Sequence, residues 1–400
     1  MKKFRSPYGV SDYTPSDCYL KASLEKTIGN VFECAGFSKV ETGALDYYEL
    51  YEGIVCEGSL NKMFKLTDYD GSLLVLRPDI TLQIGRMVAT KLPYGLHKLY
   101  YVGNSYEFLS DTSGQSARTR EFAQIGIEML GASGGVVDIE AIILAIQALK
   151  AAGLEDFLID IGHVGFFNGM LGDTNLNDLE KVELKNCIDS KDKLGLEMFL
   201  GSGKLKMDKS ISDALVRLNA LYGGIEVLEE AKKLTKNATS LKAIEELGVI
   251  AEAVTTAGLE KYISIDLGLL KGGYYSGLVF RGLSKNCGQT LLEGGRYDNV
   301  GAQLGKPTPA IGFSVGVKRL MDALGAQGVP KAVLPVDVAF INLDGFSKTE
   351  FDKINSLRSQ NKRVTKLYNA DKKALLDYCK QHKIKHALIF SKKGTEEVEV

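Results

Sequence analysis

The chain has 400 residues, 45% hydrophobic and 25% charged, with a formal net charge of −1. That length calls for two or three domains, and the composition is that of a folded globular protein, excluding disordered and fibrous classes. The near-zero charge excludes a global electrostatic pull toward nucleic acid or membranes and leaves only local basic patches open.

The N-terminus, Met1-Lys2-Lys3-Phe4-Arg5, is basic but runs into Ser6-Pro7-Tyr8-Gly9 with no apolar segment behind it, which argues against a secretion signal. The most apolar stretch, Ile139 to Leu149, is interrupted by Glu140 and Gln147 and is far short of a bilayer span, so it reads as a buried helix. The six cysteines are scattered with no C-x-x-C pair, as expected of reduced thiols in a cytosol rather than a disulfide frame or a zinc site. A cytoplasmic, soluble location with no metal and no cofactor is the expectation.

Thr14-Pro15-Ser16-Asp17 opens a helix: Thr14 caps it, Pro15 takes the first helical position and Asp17 complements the dipole. Leu20, Leu24, Ile28, Val31 and Ala35 follow at helical spacing, and Gly36 ends it. Met63–Asp68 and Leu73–Arg77 flank Asp70-Gly71, a hairpin signal. Further strands are expected at Leu99–Gly103 and Glu121–Leu130, with a polar loop over Ser110–Ala117 between them; then a helix at Asp138–Ala152 and a strand at Phe157–Ile161. From about Phe166 to Thr256 helical segments such as Leu179–Ile188, Asp213–Leu218 and Ile225–Leu234 follow one another, which predicts a helical insertion. Strand signals return at Tyr262–Leu267, Tyr274–Arg281 and Thr290–Leu292, and Pro309–Phe313 then leads into a helix from about Val315 to Leu324. After Gln327-Gly328-Val329-Pro330 a small α/β unit is expected over 329–400: strand Val336–Asn342, helices Lys348–Gln360 and Asp371–His382, and strand Ala387–Phe390. Blocks of strands and helices, rather than strict alternation, predict an α+β fold.

Three segments carry candidate chemistry. In Glu121–Leu130 the period of two puts Ala123, Ile125, Ile127 and Met129 on a core face and Phe122, Gln124, Gly126 and Glu128 on the other. An amide and a carboxylate on either side of a glycine make a floor for a small polar ligand; a half-exposed strand with an ordinary polar side accounts for them equally well. In Leu76-Arg77-Pro78-Asp79-Ile80-Thr81 a strand breaks into a helix, where capping alone explains Asp79 and Thr81. Gly272-Gly273-Tyr274-Tyr275-Ser276-Gly277 and Glu293-Gly294-Gly295-Arg296-Tyr297-Asp298 pair glycines with aromatics, as at a close approach of backbone to ligand or in a plain tight turn.

In this order the segments resemble the histidyl-tRNA synthetase family of class II aminoacyl-tRNA synthetases over nearly the whole chain. Pro7 to Pro15 looks like that family's opening, and Leu76 to Thr81 is similar to its L-R-P-E-x-T segment with Asp for Glu. Arg118-Thr119-Arg120-Glu121-Phe122-Ala123-Gln124-Ile125-Gly126-Ile127-Glu128 matches the second half of class II motif 2. Gly273-Tyr274-Tyr275 looks like the end of the R-G-L-D-Y-Y element, and Gly294 to Asp298 matches another family element. Gly312 to Leu320 resembles motif 3, which makes Arg319 a remnant of nucleotide contact. The resemblance implies a class II synthetase-like antiparallel sheet over 1–328 and a reduced anticodon-binding-like domain after it. It further implies that Asp79, Thr81, Arg118, Gln124 and Glu128 surround an amino acid and that Tyr274 and Tyr275 close over its imidazole. Carboxylates suit an α-ammonium, and phenol or amide groups suit a neutral ring.

The catalytic pattern fails where ATP must be held. No arginine occurs between Arg86 and Arg118, so the motif 2 arginine is missing, and Glu107 in that stretch would repel a triphosphate. At the start of the R-G-L-D-Y-Y element stands Leu270, with Lys271 beside it, and a lysine lacks the bidentate fork. Losing one transition-state donor costs about 3 to 4 kcal/mol, and losing two about 10⁴-fold in rate. The expectation is therefore no catalysis, an intact histidine pocket, and similarity to the paralogous regulatory subunits of ATP phosphoribosyltransferase. That similarity implies a short catalytic subunit as partner, L-histidine as effector and a homodimer within a hetero-oligomer. It implies neither membrane nor tRNA, the lysines of the tail reading as a solvated surface. The alternatives are a divergent active synthetase and a free-standing histidine- or tRNA-binding regulator. Gly201-Ser202-Gly203-Lys204-Leu205 lacks the spacing of a phosphate-binding loop, and His382 with His386 lacks acidic or cysteine partners for a metal.

Overall fold

The computed structural model describes residues 4–55, 57–108, 120–172, 174, 176–201, 209–270, 274–285, 287–330 and 335–400. Contacts divide the chain into two units, one of residues 1–14 with 20–330 and one of residues 15–19 with 331–400. No helix among the described residues is long and apolar enough to cross a membrane.

The first unit contains strands β1 (Ser38–Val40), β2 (Leu45–Tyr47), β3 (Lys65–Thr67), β4 (Leu73–Leu76), β5 (His97–Tyr106), β6 (Glu121–Leu130), β7 (Phe157–His163), β8 (Tyr222–Gly223), β9 (Ile263–Asp266), β10 (Leu278–Ser284), β11 (Cys287–Arg296) and β12 (Ala310–Gly316). Nine of them form one sheet in the order β1-β5-β6-β12-β11-β10-β7-β9-β8, antiparallel except for the pairs β1/β5 and β7/β9. The other three form the small sheet β2-β4-β3, in which Gly71, at φ 89°, turns the expected hairpin.

Helices Pro15–Cys34, Gly135–Ala151 and Val317–Ala326 bury their apolar faces on one side of the large sheet, with Phe32, Ile125, Ile127 and Phe313 in the same core. Helix Thr81–Lys91 supplies Leu82, Ile84 and Val88 to a separate core with Tyr101 and Leu130. The sheet is thus covered on both faces at β6. That is why the polar side of β6, expected to be half-exposed, is closed at Gly126 and Glu128, the latter 1% exposed. Between β7 and β9 the described chain is helical apart from two-residue β8. Helix Asp178–Asp189 starts on a capping box between Asn177 and Glu180, and Ala238–Thr256 on an Asn237 cap.

One expected strand is misplaced. Tyr274–Arg281 reads as a strand, yet β10 begins only at Leu278. Ser276 N–H donates to Arg296 O at 2.7 Å and its hydroxyl accepts from Asp298 N–H at 2.9 Å, so the preceding residues form a loop laid against the end of β11. Tyr274 and Tyr275 therefore project from a loop.

The second unit has strands β13 (Val338–Asn342), β14 (Val364–Lys366), β15 (His386–Ser391) and β16 (Gly394–Glu399) in the order β14-β13-β15-β16. Helix Lys348–Ser359 packs Ile354 on one face and Lys372–His382 packs Leu375 and Cys379 on the other. The acidic end of the chain is a strand, antiparallel to β15, with Glu397 ion-paired to Lys353 at 2.7 Å. The lysines at 372, 373, 380, 383, 385, 392 and 393 are all exposed.

Candidate functional site

Neighbouring strands β6, β12 and β11 make the floor of a cavity of about 170 Å³ in the first unit. The turn from β4 into helix Thr81–Lys91 and the loop before β10 make its walls. Asp79, Thr81, Gln124, Glu128, Tyr274 and Tyr275 all line it, together with Tyr101, Glu293, Tyr297 and Ser314. Arg118, Lys271, Gly272, Gly273 and the loop Ser110–Ala117 lie outside the described residues, as do Ser202 to Leu205. Arg319 stands in an adjoining cavity.

Glu128 is the deepest charged group. Thr81 Oγ1 donates to its Oε1 at 2.6 Å, and the Tyr297 hydroxyl donates to its Oε2. Burial outweighs these donors and pushes the carboxyl up to about 8, with Asp79 adding to the rise. The carboxylate lies directly over Gly312, its partner across the ladder; a Cβ there would stand 1.9 Å from Glu128 Oε2. Only glycine permits that placement. Asp79 accepts from Leu82 N–H at 3.0 Å, a first-turn helix contact, but burial still raises it to about 6. It accepts from the first turn of the helix and also lines the cavity.

Around these carboxyls stand four phenols. Tyr274 lies 5.3 Å from Tyr275 and 5.7 Å, edge-on, from Tyr297, ring centre to ring centre. Tyr101, beside Gly126 across the β5/β6 ladder, is hydrogen-bonded to Ser314. Burial pushes all four hydroxyls up, so they are neutral donors at physiological pH.

Two buried arginines hold this frame. Arg77 donates to Asn104 O at 2.6 Å and Thr42 O at 2.7 Å, tying the Pro78–Thr81 turn to β5. Arg296 bonds Asp138 and, at 3.1 Å, Asp298, which fixes the residue next to Tyr297 against helix Gly135–Ala151.

The adjoining cavity, about 180 Å³, shares Gln124, Glu293 and Ser314 with the first and adds Ser105, Glu107, Phe122, Lys318 and Arg319. Here the Arg319 guanidinium lies 5.6 Å from the centre of the Phe122 ring and donates to Thr290 O at 2.7 Å. A third flat group between them would need about 7 Å, two contact distances, so Arg319 and Phe122 occupy each other's faces. Glu107 pairs with Lys62 at 3.5 Å. Leu270, the position of the missing second arginine, is 1% exposed in the core.

Residue-by-residue reasoning missed Tyr101, Glu293, Tyr297 and Ser314 as lining groups. Tyr297 and Ser314 fall inside motifs recognised in the sequence, so a signal existed for them. Tyr101 had none, because only the β5/β6 register brings it there.

Sheet, cavity and motif order together define a histidyl-tRNA synthetase-like protein, and the histidyl-tRNA synthetase family model matches residues 9–320. Within that class the chain belongs to the ATP phosphoribosyltransferase regulatory subunits. It is 36% identical over 364 residues to a protein of that name from Acetivibrio thermocellus, covering 90% of this chain and 85% of the relative. The protein of that name from Clostridium acetobutylicum is 34% identical over 389 residues, 96% of this chain and 94% of the relative. A solved structure titled ATP phosphoribosyltransferase regulatory subunit/histidyl-tRNA synthetase, from Bacillus halodurans C, superposes with a TM-score of 0.81 at 28% identity, covering 97% of this chain and 98% of that one. These curated relatives are named as regulatory subunits rather than as catalytic chains.

Proposed function

We propose that this chain is the histidine sensor of ATP phosphoribosyltransferase: a cytosolic, non-catalytic subunit that a short catalytic chain requires for activity and that confers feedback inhibition by L-histidine in the first step of histidine biosynthesis. The observation that carries the reading is Glu128, buried beneath Thr81 and Tyr297 beside Asp79 and three further tyrosines. Glu128 meets the ring, Asp79 the α-ammonium, and Gln124, Tyr274 and Tyr275 complete the enclosure, with Arg118 added from the motif match. A site whose buried polar groups need partners rejects amino acids that leave them unpaired. The neighbouring cavity supports the reading without activation, since Glu107 on its lining is paired with Lys62 and Arg319 is held by Phe122 and Thr290. We read residues 1–328 as the synthetase-like core with its helical insertion, 329–400 as the reduced tail domain, and the assembly as a homodimer within a hetero-oligomer that does not use tRNA.

Inhibition requires that histidine bind one state of that assembly better than another, and a hundredfold difference corresponds to about 2.7 kcal/mol. The test mixes the purified chain with a short-form transferase and titrates histidine. Transferase activity should depend on this chain, and histidine should suppress it. Activity and inhibition that ignore the chain contradict the proposal, as does histidine-dependent pyrophosphate exchange by the chain alone.

A further inference from the structure

Tyr275 lines the cavity and is held from two sides. A Cβ on Gly295 of β11 would stand 2.8 Å from its ring, so on one side the ring rests on bare backbone. On another it packs against Val164, Val279 and Leu269. Leu269 belongs to the turn that follows β9, on the same stretch of chain that leads on to Tyr274 and Tyr275. The position of that turn therefore sets where the Tyr275 ring can stand.

Contacts to the helical insertion fix the turn. Asp266, 1% exposed at the end of β9, accepts with one oxygen from Gly268 N–H at 3.0 Å and from Lys191 Nζ at 2.8 Å. Its other oxygen accepts from Arg281 at 3.1 Å, but that guanidinium also serves Asp160, likewise 1% exposed. Two buried carboxylates thus share one arginine, and Lys191 supplies a further cation to them. Asp189 accepts from Leu270 N–H at 3.3 Å, and Leu221 O accepts from Leu267 N–H at 3.1 Å. Lys191 reaches Asp266 from the turn after helix Asp178–Asp189, at φ 56°, a left-handed position where helices usually end on glycine. Without Lys191 the buried carboxylate is left partly uncompensated, a costly state that a shift of the turn relieves.

We propose that Asp189 and Lys191 of the helical insertion are positioning residues for the ligand pocket. They hold the turn 266–270 and, through Leu269, the Tyr275 wall. Docking of the insertion and occupancy of the pocket then favour each other, and by linkage histidine steadies the insertion as much as the insertion steadies the pocket.

This inference rests on the histidine-pocket reading above, and the experiment separates the two. Histidine is titrated calorimetrically into the full chain and into its Lys191→Met, Asp189→Ala and Lys193→Met variants. Lys191→Met and Asp189→Ala should each raise the dissociation constant about fivefold. Lys193→Met, which removes an exposed ion pair to Glu197 on the same insertion, should leave it unchanged. A role in folding alone would lower the melting temperature without moving the dissociation constant, which is read on folded protein. Lys191→Met should also lose its effect in a Tyr275→Leu background, where the ring it positions is gone. Unchanged affinity in both Lys191→Met and Asp189→Ala overturns the inference and leaves the pocket assignment standing. So does an undiminished Lys191→Met effect in the Tyr275→Leu background. If the parent chain does not bind histidine, the pocket assignment falls and the inference with it.

Discussion

Glu128→Gln is expected to weaken histidine binding about 100-fold, the result of truncating one partner of a buried, hydrogen-bonded charged contact. Thr81 and Tyr297 both donate to this carboxyl, one to each oxygen. An amide presents an oxygen to one hydroxyl and an NH2 to the other, so one of the two hydroxyls must turn from donating to accepting and the pair of donated bonds is lost. The same substitution should change stability in the opposite sense at alkaline pH. In the fold Glu128 is raised to about 8, above the ordinary glutamate value of 4.5. Its neutral form is therefore favoured by the fold, a contribution fully present below pH 4.5 and lost as pH rises through 8. Glutamine cannot ionise. The melting temperature of the variant relative to the parent should climb between pH 5 and pH 9, a few degrees for each ~1 kcal/mol recovered. Equal pH slopes for the two proteins would show that Glu128 is not held in the environment described.

Histidine affinity should follow a bell with a plateau between about pH 6.5 and 8. On that plateau the free pocket carries Asp79 ionised and Glu128 protonated while free histidine carries a neutral ring, so binding moves no net proton. Below it, protons must leave both Asp79, raised to about 6, and the ring, with its ordinary value of about 6.5. The two losses multiply to about 100-fold or more by pH 5. Above pH 8 the proton shared by Glu128 and the ring must be taken up, and affinity falls about tenfold per unit. Isothermal titration in buffers of differing ionisation enthalpy reads both arms. An acid arm that reports only the ring, with no alkaline fall, would place histidine away from these two carboxyls.

Much of this site was legible where local chemistry is strong. The hairpin at Asp70-Gly71, the helix from Pro15 and strand β6 each carry a turn residue, a cap or an apolar period that acts within a few residues. Long-range register was not legible. Gly312 must lie opposite Glu128 and Tyr101 opposite Gly126 for the cavity to exist, and these contacts join segments far apart in the chain. The loop carrying Tyr274 and Tyr275 imitates a strand in composition, and only its side-chain and backbone bonds to Arg296 and Asp298 show otherwise. Arg77 is another such case. Nothing in Leu76-Arg77-Pro78 announces that its guanidinium will be buried against the carbonyls of Thr42, Gly43 and Asn104 rather than meet a ligand. The motif matches point to such residues, but the contacts determine what each one does.

The proposal that this pocket is the sensor is tested most directly by following binding and inhibition together in one variant. Thr81→Val removes the hydroxyl that donates to Glu128 while keeping the side chain's shape. In a reconstituted complex with a short-form transferase, histidine's dissociation constant and its inhibition constant should rise by the same factor, about tenfold or more. Undiminished inhibition by histidine in a complex whose regulatory chain no longer binds it in this cavity would contradict the account.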